Sequence, residues 1–68
     1  MSLSLKAARV NAGLTRNEVI HSLKTRYGIE ITVGTLANYE NSKSTPDINT
    51  GKALASIYGL SVDDIKFF

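Results

Sequence analysis

The chain has 68 residues, 43% of them hydrophobic, which allows one domain and is too apolar for a disordered segment. It has no cysteine, so a disulfide framework and a thiolate zinc site are excluded, and no apolar run approaches the roughly 20 residues of a membrane span. The net charge of +2 is uneven: residues 1–46 set Lys6, Arg9, Arg16, Lys24, Arg26 and Lys43 against Glu18, Glu30 and Glu40, whereas residues 47–68 set Lys52 and Lys66 against Asp47, Asp63 and Asp64.

The N-terminus has one cation, Lys6, and no long apolar stretch, so it does not read as a signal peptide. Five helices follow from spacing and caps, in an all-α fold. The first covers about residues 4–12: Leu5, Ala8 and Ala12 recur at helical spacing, and Gly13 ends it. Thr15-Arg16-Asn17-Glu18 is a capping box, with Leu14 and Val19 in the positions of a hydrophobic staple. The second helix runs from Arg16 to about Tyr27, with Val19, Ile20, Leu23 and Tyr27 on its buried face. Gly28 follows, where a helix end favours a residue tolerant of left-handed backbone. Residues 28–33 alternate in period two, but the run is short and has no partner, so it reads as an extended turn.

Thr32 caps the third helix, which runs from Val33 to Asn41 with Val33, Leu36 and Tyr39 inward and Ile31 and Leu36 in staple positions. Glu40 to Pro46 form a small polar, basic loop. Asp47 caps the fourth helix, which reaches Tyr58 before Gly59 and turns Ile48, Leu54, Ala55 and Tyr58 to the core. The fifth is short. Ser61 caps it, Asp63 and Asp64 suit the positive end of its dipole, and Ile65 and Phe68 share a face. The core is expected to centre on Val19, Leu23, Leu36, Leu54 and Ile65.

Two short helices joined by a glycine turn and followed by a phosphate-friendly loop read as a helix-turn-helix, over about residues 15–41 of a single domain spanning 1–68. On the third helix, Thr32, Thr35 and Asn38 lie near one stripe. Asn38 suits a bidentate bond to an adenine edge, a threonine suits a thymine methyl or a phosphate, and Val33 suits a thymine methyl or the core. Phosphate contacts need only charge and exposed donors. They fall to Arg16 and Asn17 at the start of the second helix and to Asn41, Lys43 and Ser44 in the loop. Lys24, Arg26 and Tyr27 are further candidates if the long turn leans on the DNA backbone. No catalytic set is found. His21 is the sole histidine, Asp63-Asp64 is explained by capping, and Gly34 and Gly51 are not part of a phosphate-binding loop. No enzyme activity, metal or cofactor is therefore expected.

In order, the chain carries Leu5-Lys6-Ala7-Ala8-Arg9, Gly13-Leu14-Thr15, Glu18-Val19 and Thr35-Leu36-Ala37-Asn38-Tyr39-Glu40-Asn41. Pro46-Asp47-Ile48, Leu54-Ala55 and Tyr58-Gly59-Leu60-Ser61-Val62-Asp63-Asp64-Ile65 follow. With these pieces the chain resembles the lambda-repressor-like, Cro and xenobiotic-response-element family of prokaryotic and phage helix-turn-helix proteins, from about Leu5 to Ile65. The resemblance implies a five-helix domain that binds operator DNA as a dimer. Three positions depart from the family pattern. Arg16 stands where the family has a glutamine that buttresses a phosphate and a base reader; it can hold a phosphate but cannot repeat the amide bridge. Ile20 replaces a small alanine, and Gly28 follows eight residues later, which makes the second helix about one turn longer but keeps its phase. Gly34 offers no side chain where the family has long polar readers.

The expected function is a DNA-binding transcriptional regulator in a bacterial cytoplasm, a phage or mobile-element repressor of Cro type or the DNA-binding domain of a longer repressor. The alternative is an antirepressor or antitoxin-like protein that uses the fold on another regulator. The expected partner is double-stranded operator DNA, with no membrane. A weak or DNA-induced homodimer is expected to use Phe67 or Phe68 with Tyr58 or Leu60.

Overall fold

Among residues 2–67, which the computed structural model describes, four α-helices and one strand pair form. In chain order they are β1 (Leu3–Ser4), α1 (Leu5–Asn11), α2 (Arg16–Tyr27), α3 (Val33–Glu40) and α4 (Ile48–Ile57), then a 3-10 turn at Val62–Asp64 and β2 (Ile65–Lys66).

Each helix starts where a side chain supplies an acceptor for an orphan backbone N–H. The Ser4 hydroxyl accepts from Ala7 at 3.1 Å, Thr32 from Thr35 at 3.1 Å, and Asp47 from Thr50 at 2.8 Å. The α2 capping box is complete: Thr15 accepts from Glu18 N–H at 3.1 Å, and the Glu18 carboxylate accepts from Thr15 N–H at 2.9 Å. These bonds hold the Glu18 and Asp47 carboxyls below their ordinary pKa values. As expected, α2 passes Lys24 and ends at Gly28, whose φ of 66° lets its N–H reach back to Leu23 and Lys24.

α1, α3 and α4 all close by one device, a left-handed residue whose own N–H and whose successor's N–H bond back into the last turn. Gly13 and Gly59 fill that place after α1 and α4, but Ser42, at φ 61°, fills it after α3. Lys43 N–H then donates to Asn38 at 2.9 Å. A side chain in this region is strained, so Ser42→Gly should stabilise the fold by about 0.5–1 kcal/mol in urea unfolding. A loss of stability would mean that the serine hydroxyl supports the loop.

The core is Leu5, Ala8, Val19, Leu23, Leu36, Ala53, Leu54, Ala55, Tyr58 and Ile65, and it contains all five positions expected at its centre. α2 packs on both α3 and α4, and α1 packs on α3, so α4 braces the first helix of the helix-turn-helix and α1 the second. Ile20 and Tyr39 are half-buried against this core.

The expected fifth helix does not form. Ser61 and Asp64 make only a 3-10 turn, and Ile65 is extended, at φ −116° and ψ 132°. β2 instead pairs in parallel with β1, Leu3 opposite Ile65 and Ser4 opposite Lys66. One 3-10 turn is too short to nucleate a helix, whereas pairing with β1 buries Ile65 to 6% exposure. The fold is thus mostly helical, with four helices and a small two-strand sheet in place of the expected five helices, and the expected face shared by Ile65 and Phe68 falls partly outside the described residues.

Four other positions differ from expectation. Val33 is 38% exposed and Ile48 is 75% exposed, because each is the first residue of its helix and overhangs the core. Ala12 is exposed at the end of α1. Tyr27 is exposed along its ring, and its hydroxyl bonds Ser56 at 2.8 Å.

Candidate nucleic-acid interface

Leu36 turns one side of α3 into the core, which leaves Thr32, Val33, Gly34 and Asn38 on the solvent side. The two threonines are partly engaged within the helix. Thr32 caps it, the Thr32 hydroxyl lies 3.0 Å from that of Thr35, and Thr35 is half-buried. Asn38 is exposed, which makes it the freest polar side chain of the proposed stripe. Asn41, Ser42, Lys43 and Ser44 follow directly, all exposed, and Asn17 is exposed at the second position of α2.

Arg16 is held by Glu40, which ends the expected third helix where the polar loop begins. Glu40 is the last residue of α3, with a fully buried carboxylate between two arginines. Arg9 Nε donates to one oxygen at 2.7 Å and Arg9 Nη2 to the other at 3.3 Å. Arg16 Nε and Nη2 both reach that second oxygen at 3.0 Å. Arg9 Nη1 also donates to the Leu14 carbonyl at 2.9 Å. One carboxylate therefore ties α1, the turn before α2, the start of α2 and the end of α3. The bond to Glu40 raises the Arg9 pKa, against the opposing effect of burial. Tyr58 lies beside this pair, and burial, reinforced by the Glu40 charge, pushes its phenol well above the ordinary range. Its hydroxyl is buried without a partner among the described residues.

A sequence signal for this triad exists. Glu40 lies four residues after Leu36, and Arg9 four after Leu5, so each charge continues the inward stripe of its helix. Opposite charges on two buried stripes have reason to meet.

The remaining cationic candidates sit elsewhere. Lys24, Arg26 and Tyr27 lie at the far end of α2, about 12–16 Å along its axis from Arg16. Lys24 pairs loosely with Glu30 at 3.6 Å, both exposed, and the Arg26 guanidinium sits 5.4 Å over the Tyr27 ring. The structure does not join them to Arg16 and the 41–44 loop.

The dimer candidates also separate. Tyr58, expected both in the core and at an interface, is 7% exposed and belongs to the core. Leu60 is half-buried against that core, and Phe68 lies outside the described residues. Phe67 is half-buried, its ring 3.5 Å from the place a Cβ on Gly51 would occupy. It lines an apolar cleft of about 210 Å³ with Pro46, Ile48, Gly51 and Val62, edged by Thr45, Asp47 and Lys52.

Among the described residues no helix is long and apolar enough to cross a membrane, and no group of three or more His, Asp or Glu has metal-binding geometry. No curated protein and no solved structure matches the chain. A family model described as helix-turn-helix does match, over residues 5–65. That span holds α1 to the start of β2, including the capped α2–α3 pair and the exposed α3 face. The chain therefore belongs to the lambda-repressor-like, Cro/C1-type helix-turn-helix family of DNA-binding transcription regulators.

Proposed function

We propose that this regulator is a repressor of Cro type, from a phage or mobile element or as the DNA-binding domain of a longer repressor, acting on operator DNA in a bacterial cytoplasm. α3 lies in the major groove, Asn38 reads a base, and Val33 and the Thr32 and Thr35 methyls meet thymine methyls or sugar. Arg16, Asn17, Asn41, Lys43 and Ser44 hold phosphates. The observation that carries this reading is the solvent face of α3 flanked at its C-terminal end by Arg16 and by the exposed 41–44 loop. Lys24, Arg26 and Tyr27 stay outside the contact set, since they occupy the other end of α2.

One recognition helix covers few base pairs, so specificity asks for two half-sites about 34–36 Å apart and a joined pair of protomers. The apolar cleft at Ile48, Val62 and Phe67 is the proposed meeting surface, covered by a second copy. It begins where the 41–46 loop ends, and it carries Asp47 and Lys52 on its rim. In a two-fold interface each of these can face its opposite in the other protomer. Phe67→Ala or Ile48→Asp should leave the fold intact and move sedimentation on a palindromic duplex from two protomers to one. Unchanged assembly would place the interface elsewhere.

The binding test uses three variants. Asn38→Ala should relax preference at one base pair by roughly 1–3 kcal/mol. Arg16→Ala and Lys43→Ala should weaken all sequences alike and flatten the salt dependence. Loss of general affinity on Asn38→Ala, with preference kept, would deny it the reader role. A second reading, an antirepressor or antitoxin-like protein acting on another regulator, draws on Gly34 and on the exposed Ile48 beside the cleft. It predicts no salt-dependent DNA binding.

A further inference from the structure

We infer that Glu40 is a positioning residue for DNA binding, holding Arg16 so that the guanidinium edge not used on Glu40 meets a phosphate. The inference rests on the DNA-binding reading above.

Arg16 opens α2, and its Nε and one Nη converge on a single Glu40 oxygen at 3.0 Å each. The guanidinium is a rigid planar fork, so holding one edge fixes the whole plane. The side chain is 34% exposed, and its Nη1 has no acceptor among the described residues. Arg9, by contrast, is 11% exposed and directs its donors to Glu40 and the Leu14 carbonyl. Two guanidiniums against one carboxylate leave one net positive charge, and Arg16 is the member that carries it to solvent.

A free surface arginine gives up much rotamer freedom when it clasps a phosphate. Here that freedom is already lost in the folded protein, so the clasp is preorganised. Glu40 is also the last residue of α3. The same carboxylate therefore links the helix offered to the bases with the cation offered to the backbone, which sets their register.

The sign of one substitution separates this from plain charge. Glu40→Gln removes a negative charge next to the DNA, so electrostatics alone would tighten binding. Positioning demands the reverse, because a neutral amide cannot hold two guanidiniums and Arg16 swings free. On a mixed-sequence DNA duplex, binding should weaken about tenfold, the scale of one hydrogen bond to a charged group. The slope of log K against log salt should shrink by about 0.9 for each phosphate that Arg16 no longer neutralises. Arg16→Lys keeps the charge but not the fork, and should weaken binding similarly. In an Arg16→Ala background, Glu40→Gln should add no further weakening.

Circular dichroism melting checks that each variant is folded at the binding temperature. If Glu40→Gln does not fold, Arg16→Lys and the NMR signal of the wild-type Arg16 Nε–H decide. That proton should be protected from exchange in the free protein and remain so on DNA. Equal or tighter binding by folded Glu40→Gln, full affinity in Arg16→Lys, or loss of Nε–H protection on DNA would overturn the inference while leaving the DNA reading intact. Wild-type protein that shows no salt-dependent binding would instead overturn the DNA reading itself.

Discussion

Glu40→Ala should destabilise the fold by about 3–5 kcal/mol, because it leaves two guanidiniums facing each other with their shared counter-charge gone. Arg9 is the reason for the size of the effect. It is nearly buried, its Nε sits 2.7 Å from Glu40, and no other carboxylate bonds it among the described residues. Arg16 adds less, since water reaches a third of its side chain. Domains of ordinary stability hold only about 5–15 kcal/mol, and one of this size stands near the lower end. Urea unfolding of Glu40→Ala should therefore find a protein partly unfolded before denaturant is added. Double substitution of Arg9 and Glu40 by apolar residues of similar volume should recover much of the loss, since a buried pair can often be replaced when both charges leave together. A cost under about 1 kcal/mol for Glu40→Ala would show that the triad is open to water and behaves as a surface pair.

Leu36→Ala should cost about 2–5 kcal/mol, towards the upper end. Leu36 is fully buried, and it is the one buried hydrophobic residue that α3 sends into the core. α3 has only eight residues and would not persist alone, so its position depends on this contact and on Glu40. Thermal unfolding followed by far-ultraviolet circular dichroism measures the loss. The same variant should lose DNA affinity only in proportion to the unfolded fraction. A folded Leu36→Ala protein without sequence preference would mean that α3 had shifted its seat without unfolding.

The helix starts are legible in the sequence because a cap is a local event. Thr15 and Glu18, Thr32 and Thr35, and Asp47 and Thr50 stand three residues apart, and their bonds need no tertiary context. Helical periodicity likewise names Val19, Leu23, Leu36 and Leu54, all fully buried. Periodicity gives a face but not where along the axis the core ends, which is why Val33 and Ile48 project beyond it. The C-terminal segment departs from its helical pattern for a different reason. Ser61 and Asp64 carry real capping chemistry, but the fate of Ile65 is decided by Leu3, more than sixty residues earlier. The Arg9–Glu40 pair spans 31 residues and is hidden in the same way. Glu40 and Arg9 each continue the inward stripe of their own helix, but only the fold brings the two stripes together. The sequence marks Arg16 as a phosphate contact but does not reveal the partner that holds it.

The most direct test is a fluorescence-anisotropy titration of DNA from upstream of the protein's own gene against scrambled duplex, repeated across a salt series. A dimer that grips about 6 phosphates should give log K falling with log salt at a slope near −5, with the upstream DNA bound at least about 10³-fold tighter at physiological salt. Affinity that does not depend on salt, or that is equal on the two duplexes at every salt concentration, would contradict operator recognition by α3.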